Sequence, residues 1–162
     1  MAAEYPPYMY GYGVIEKIVA KIQDTPVPDQ FTHEYLAYTL GFSREADRAF
    51  IPMAKRIGLL STDGKPTALY LRLRDPVQTG EAVATAMRHG YPLLYAKHAD
   101  AHELERKVVA GLVAEITGLE LGHASARAIV GSFFALKRLA EPKAEVVRQA
   151  DRRAAPERRK RR

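Results

Sequence analysis

Apolar residues recur at three- and four-residue spacing through most of this chain, and glycine or proline separates the segments that carry them. The clearest segment is 14–22, whose valines and isoleucines fall on one face of a helix, and Pro26 and Pro28 end it. The same spacing predicts further helices over 33–40, 43–57, 80–89, 93–99, 103–117 and 123–140. We therefore expect a mainly α fold with a compact helical body.

Residues 68–74 fit two different structures. Three leucines alternate there with polar or aromatic residues, as in the second strand of a hairpin, which allows at most a small β-hairpin near 59–73. Pro66-Thr67 and Asp75-Pro76 are instead start and stop signals of a short helix, and this is the alternative that we favour.

Two places in the chain share a helix, a glycine turn and a second helix. Gly41 and Gly118 mark the two turns, and a helix breaker follows at the same place in each second helix, Pro52 and Gly131. The match leaves an internal duplication of the chain open. Because this arrangement is the unit of helix-turn-helix DNA-binding proteins, we expect one or two helix-turn-helix-like or winged-helix-like units.

The first of these units carries a local excess of positive charge. Residues 44–74 hold seven basic and three acidic residues, and the Asp63-Gly64 turn is placed as the wing of a winged helix would be. The predicted nucleic-acid contacts of this unit are Arg44, Arg48, Lys55 and Arg56 on the outward face of the third helix, followed by Lys65, Arg72 and Arg74. Pro52 inside that helix, and Glu45 and Asp47 beside its arginines, argue against groove contact and favour a solvated surface of ion pairs.

The net charge of residues 143–162, which hold nine basic and three acidic residues, is +6 and equals the net charge of the whole chain. The rest of the chain is therefore neutral. We expect a flexible basic C-terminal tail, either disordered or a frayed helix. Its last five residues are predicted to add nonspecific phosphate contacts: Arg158, Arg159, Lys160, Arg161 and Arg162.

The predicted organisation is an N-terminal arm at 1–13, a helix-turn-helix-like half at 14–76, a second helical half at 77–142 and the basic tail. Tyrosines in the arm alternate with proline and glycine, which favours an extended segment. These tyrosines either stack on bases or, as we expect, pack over the apolar surface of the body.

The segment 123–140 is the most apolar of the predicted helices. Its wide apolar face belongs either inside the protein or against a second subunit. We predict a homodimer with an oligomer interface formed by Ile129, Val130, Phe133 and Phe134. A protein–protein adaptor or oligomerisation module without a nucleic-acid role is the alternative function.

The sequence excludes or disfavours several other classes of protein. The chain has no cysteine, so disulfides, cysteine-based zinc sites and a thiol nucleophile are excluded. It has no phosphate loop, complete dinucleotide loop or nucleophile elbow, so we expect neither an enzyme nor a cofactor or metal. The start lacks the features of a signal peptide and no apolar stretch could span a bilayer, which predicts a cytoplasmic protein without a membrane partner.

Short motifs along the body resemble a prokaryotic family catalogued as domain of unknown function 5343. The motifs are Tyr10-Gly11-Tyr12-Gly13, Leu40-Gly41-Phe42, Arg48-Ala49-Phe50-Ile51-Pro52, Lys55-Arg56-Ile57-Gly58, Asp63-Gly64-Lys65-Pro66-Thr67, Gly90-Tyr91-Pro92 and Ile129-Val130-Gly131. The resemblance covers about residues 5–141 and leaves the basic tail outside. It implies a mainly helical protein of this size, with no established activity or catalytic residues.

The charged helical unit and the basic tail together predict a nucleic-acid-binding protein of helix-turn-helix or winged-helix type. DNA is the expected ligand and RNA the other candidate. Such a function is typical of transcriptional regulators.

Overall fold

The computed structural model describes residues 5–141 and 151–153, and it is mainly helical, as the spacing of apolar residues predicts. The α-helices are α1 (Ile15–Asp24), α2 (Phe50–Arg56), α3 (Ala68–Arg74), α4 (Thr79–Gly90), α5 (Pro92–Lys97), α6 (Arg106–Thr117) and α7 (Ala124–Ala140). Single turns of 3-10 helix lie at Tyr12–Val14, Glu45–Ala49 and Ala101–Glu103, and a π-helical turn lies at Tyr35–Thr39. The part of the chain that is described contains no β-sheet.

α7 forms the centre of the fold, where it packs against α1, α4 and α6. Ile129 and Phe133 on this helix are fully buried. The Phe133 ring meets the buried Tyr91 ring edge-on, with 5.1 Å between the ring centroids. Burial of such large side chains removes apolar surface from water and is the main source of stability in a fold of this kind.

One cluster of buried apolar side chains runs through both predicted halves of the chain. The halves also share a polar contact: the Gln23 side chain on α1 donates a hydrogen bond to the Thr79 hydroxyl at 2.8 Å. Gly90 lies so close to Ile57 that a Cβ there would approach Ile57 Cγ2 to 2.7 Å. The two halves therefore fold around a single core.

Residues 68–74 form helix α3, the alternative favoured from the sequence. The Thr67 hydroxyl accepts a hydrogen bond from the Tyr70 N–H and caps the start of the helix, and the backbone becomes extended at Asp75, directly after its end. The predicted hairpin is reduced to one antiparallel bridge between Leu60 and Pro66, with the Asp63-Gly64 turn between them.

The prediction of one continuous helix over 43–57 is wrong. A 3-10 turn occupies Glu45–Ala49 and the α-helix begins only at Phe50. Pro52 explains this division, because it has no N–H to donate and is tolerated in the first turn of a helix, where no intrahelical acceptor is available. Pro52 therefore lies near the start of α2 and does not kink the middle of a longer helix.

Gly131, a residue type that disfavours helices, does not interrupt the helix predicted over 123–140. It lies inside the continuous α7, and a Cβ built on it would come within 2.3 Å of the Tyr12 ring. The glycine therefore provides the space that the arm needs to lie against α7. Beside it, the Met9 N–H donates to the Ser132 hydroxyl at 3.0 Å, so the described part of the arm packs on the body as expected.

Candidate nucleic-acid interface

The helices and the turn of the predicted DNA-binding unit occur in the expected order: α1, the π-helical turn, the 3-10 turn with α2, and then the turn 61–65. The turn is closed by hydrogen bonds from the Ser61 N–H to the Lys65 carbonyl at 2.8 Å and from the Gly64 N–H to the Ser61 carbonyl at 2.9 Å. The Phe31 N–H, from the segment after α1, donates to the Gly64 carbonyl at 2.8 Å. The turn is therefore fixed against the helical part of the unit.

Arg44 and Arg48 are exposed at the 3-10 turn, as predicted for nucleic-acid contacts. Asp47, an acidic neighbour expected to repel phosphate, is instead buried, and its carboxylate accepts a hydrogen bond from the Arg44 N–H at 3.2 Å. This bond caps the 3-10 turn. Of the two acids between these arginines, only Glu45 is exposed to solvent.

Lys55, at the end of α2, and Lys65, in the turn, both act electrostatically on Asp63. A hydrogen bond from the Ser61 hydroxyl, 2.7 Å from Asp63 Oδ1, is the main cause that holds the pKa of the Asp63 carboxyl below its usual range. The charges of Lys65 and Lys55 lower this pKa further. The Lys65 ammonium is 3.9 Å from the Asp63 carboxylate within the turn, whereas Lys55 is half-buried at the end of α2.

The remaining three predicted cations of the unit contact different parts of the chain. Arg56 is half-buried and donates to the Tyr5 carbonyl in the arm. Arg72 lies 3.7 Å from the Glu81 carboxylate on α4. Arg74 donates to the carbonyls of Thr25 and Ile22, at 2.9 and 3.3 Å, and so satisfies the C-terminal end of α1. These contacts join distant parts of the chain, so charge counting along the sequence does not reveal them.

The five predicted cations at the end of the tail, Arg158, Arg159, Lys160, Arg161 and Arg162, lie outside the described residues. In the short described segment before them, Arg153 lies 3.5 Å from the Asp75 carboxylate, just after α3.

The four residues predicted to form an oligomer interface lie on α7. Ile129, Val130 and Phe133 are buried in the core of the protein itself, which was the other option for so wide an apolar face. Phe134 is half-buried, and the guanidinium of Arg106 lies over its ring, 5.2 Å from the centroid. Three of the four side chains are therefore already covered by the protein's own helices.

A groove of about 700 Å³ was not foreseen from the sequence. It lies between α1, the start of α4 and the end of α7, and Asp151 contributes to its lining. Its walls come from three elements far apart in the chain, so only the packing of the helices could reveal it.

Neither a cluster of metal-binding side chains nor a membrane-spanning helix occurs in the described residues. Within 5–141 and 151–153, no three or more histidine, aspartate or glutamate side chains are grouped so that they could hold a metal ion. None of the helices described there is long and apolar enough to cross a membrane.

These observations define the chain as a mainly helical protein. The predicted DNA-binding unit, with its turn at 61–65, shares one apolar core with a second group of helices around α7. It belongs to the Family of unknown function (DUF5343), which matches residues 7–147 and agrees with the resemblance seen in the motifs. No curated protein and no solved structure matches the chain.

Proposed function

We propose that this protein binds DNA through a cationic strip formed by Arg44, Arg48, Lys55 and Lys65. The main support is the separation of the predicted cations into two groups. These four lie on the third helical segment of the unit and on the turn after it, where helix-turn-helix and winged-helix proteins place their DNA contacts. The other three predicted cations of the unit, Arg56, Arg72 and Arg74, contact other parts of the chain.

The burial of Asp47 strengthens this proposal. A carboxylate between Arg44 and Arg48 would oppose the approach of phosphate, but the Asp47 side chain points inward and is only 4% exposed. Its carboxylate is used to cap the 3-10 turn. The exposed side of that turn therefore presents two guanidinium groups, the side chains best suited to bidentate contact with phosphate, and one carboxylate, that of Glu45.

Phosphate contacts make binding dependent on salt, which gives the proposal a quantitative signature. Each phosphate neutralised contributes about 0.9 to the slope of log affinity against log salt concentration on duplex DNA. Four contacts from the strip give a slope of about −3.6, so a fourfold increase in salt weakens binding roughly 150-fold. The cations of the basic tail add further nonspecific contacts to this slope.

The experiment that tests the proposal is a titration of a labelled DNA duplex, followed by fluorescence anisotropy at two salt concentrations. Full-length protein and a 1–142 truncation, which keeps the whole core of the body, are compared. We expect the truncation to bind more weakly and still to show a salt slope of about −3.6 from the strip. If the truncation does not bind, the tail alone is responsible and the strip is not a DNA-binding surface.

A labelled single-stranded RNA in a parallel titration separates the two candidate nucleic acids. Tighter binding of duplex DNA at equal salt supports the proposal. Preference for the single strand contradicts groove binding by the third helical segment, because single strands are bound mainly by stacking on exposed aromatic rings. If neither probe binds, the adaptor or oligomerisation role is the hypothesis that survives, and light scattering at several protein concentrations tests it.

A further inference from the structure

Glu45 is an exposed carboxylate inside the cationic strip. It is the first residue of the 3-10 turn and lies between Arg44 and Arg48 in the sequence, and all three side chains are exposed. A carboxylate repels phosphate, so it weakens any surface that binds only the backbone of DNA. The part of a duplex that Glu45 can contact favourably is therefore the edges of the bases.

The position of Glu45 in the unit suits contact with bases. In helix-turn-helix proteins the residues at the start of the recognition helix contact base edges in the major groove, and Glu45 starts the third helical segment. Burial follows the period of three of a 3-10 helix, since Asp47 and Phe50 are buried whereas Glu45 and Arg48 are exposed. Glu45 and Arg48 therefore lie on the same face of the turn, the face that the cationic strip presents to solvent.

The Glu45 carboxylate is not committed to a partner within the described part of the protein. Among residues 5–141 and 151–153, no ion pair and no side-chain hydrogen bond involves Glu45. The carboxylate that caps this turn is that of Asp47, which accepts the Arg44 N–H at 3.2 Å. Glu45 therefore keeps its capacity to accept hydrogen bonds from a ligand.

Cytosine offers the donor that fits this carboxylate best. A carboxylate only accepts hydrogen bonds, and the donors in the major groove are the amino groups at cytosine N4 and adenine N6. Adenine N6 lies between two acceptors that repel a carboxylate, its own N7 and thymine O4. Cytosine N4 has such an acceptor on one side only, guanine O6, so a G·C base pair suits Glu45 better than an A·T base pair.

We infer that Glu45 gives the proposed DNA binding a preference for G·C base pairs, by accepting a hydrogen bond from the cytosine N4 amino group. The inference rests on the proposed function, because Glu45 acts from within the cationic strip. The four cations of the strip hold the phosphates, which fixes the position of the protein but carries no sequence information. Glu45 is then the residue that discriminates between base pairs.

Two alternating duplexes of equal length, dI·dC and dA·dT, test this preference with the full-length protein and fluorescence anisotropy. Inosine lacks the guanine N2 amino group, so the hydrogen-bonding groups of the two duplexes differ only in the major groove. We expect the protein to bind dI·dC about fivefold more tightly than dA·dT, the lower end of the range for a specific base contact.

Glu45→Gln and Glu120→Gln are the matched variants, since each removes one exposed carboxylate. Glutamine pairs with adenine N6 and N7, so Glu45→Gln should abolish the preference for dI·dC or reverse it. Glu120 lies between α6 and α7, outside the strip, so Glu120→Gln should keep the ratio of the unmodified protein. Because the same two duplexes are used throughout, differences in DNA shape cancel when variants are compared.

Three results would overturn the inference. The first is equal affinity of the unmodified protein for both duplexes with the salt slope retained, in which case DNA binding by the strip stands without this base contact. The second is an unchanged ratio in Glu45→Gln, with binding to both duplexes strengthened alike, which would mean that Glu45 only repels phosphate. The third is no binding to either duplex at low salt, which would overturn the proposed function as well.

Discussion

Replacing Gly131 by alanine tests the packing of the N-terminal arm against the central helix. A Cβ at this position would lie 2.3, 2.4 and 2.7 Å from three atoms of the Tyr12 ring, well inside van der Waals contact. Either the ring must move away or α7 must shift. We therefore expect the substitution to destabilise the protein, although alanine is the better helix former.

The expected change in the free energy of unfolding is the sum of two opposing effects. Overpacking costs about 1–3 kcal/mol in a well-packed site, whereas replacing glycine by alanine inside a helix stabilises by about 1 kcal/mol. Gly111 on α6 provides a matched control, since it is also inside a helix and a Cβ there meets nothing within 4 Å. Gly111→Ala should show the helix-propensity gain alone, so the two variants should differ by about 1–3 kcal/mol.

Urea and thermal unfolding, followed by circular dichroism, measure this difference. For a chain of this length, 1 kcal/mol corresponds to roughly 2–4 °C in Tm. In a Tyr12→Ala background the obstacle is absent, and the gap between the two alanine variants should fall to within about 0.5 kcal/mol. A Gly131→Ala protein at least as stable as Gly111→Ala would refute the contact between the arm and α7.

Three further predictions concern stability. Tyr91→Phe removes the hydrogen bond from the buried Tyr91 hydroxyl to the Pro7 carbonyl, 2.6 Å long, and should lower the free energy of unfolding by about 1–2 kcal/mol; an unchanged midpoint in urea would argue against that bond. Burial raises the pKa of the Tyr95 hydroxyl from its ordinary 10.0 to about 12, and this effect outweighs the opposite effect of the nearby Arg88 charge. The contribution of the neutral Tyr95 side chain to the free energy of unfolding is therefore complete below pH 10 and is lost as the pH rises toward 12. Tyrosinate absorbance and helical circular dichroism should change together there, and ionisation of all tyrosines before any loss of helix would contradict the prediction. Arg74→Gln should cost about 1 kcal/mol through lost hydrogen bonds at the end of α1, whereas Arg72→Gln, which loses only an exposed ion pair, should cost less than half as much; equal midpoints in denaturant would refute the difference.

The fold could be predicted where local sequence and tertiary packing agree. The apolar face of segment 14–22 is buried in α1 as the spacing indicates, because a helix with one apolar face must cover it. The short helix α3 follows from Thr67 as a cap and from Pro76 after its end. These signals act within a few residues, so the sequence contains them directly.

The other features of the fold and of the candidate site depend on contacts between residues that are distant in the sequence. A glycine at 131 has the same local propensity whether or not a ring lies against it, so its role could not be separated from that of a helix breaker. The inward turn of Asp47 could not be read from the sequence, where this acid stands beside the predicted phosphate contacts Arg44 and Arg48. Arg56 and Arg74 looked like surface cations but are held by backbone carbonyls brought from the arm and from α1.

The salt slope of DNA binding by a strip variant tests the central claim most directly. Arg48→Ala with Lys55→Ala removes two of the four cations of the strip. Lys107→Ala with Arg127→Ala removes the same charge from exposed positions on α6 and α7. Binding to the strip predicts that the first variant lowers the log–log slope by about 1.8 and weakens binding at low salt, while the control keeps the slope of the unmodified protein. Equal slopes in the two variants would contradict DNA binding by this surface.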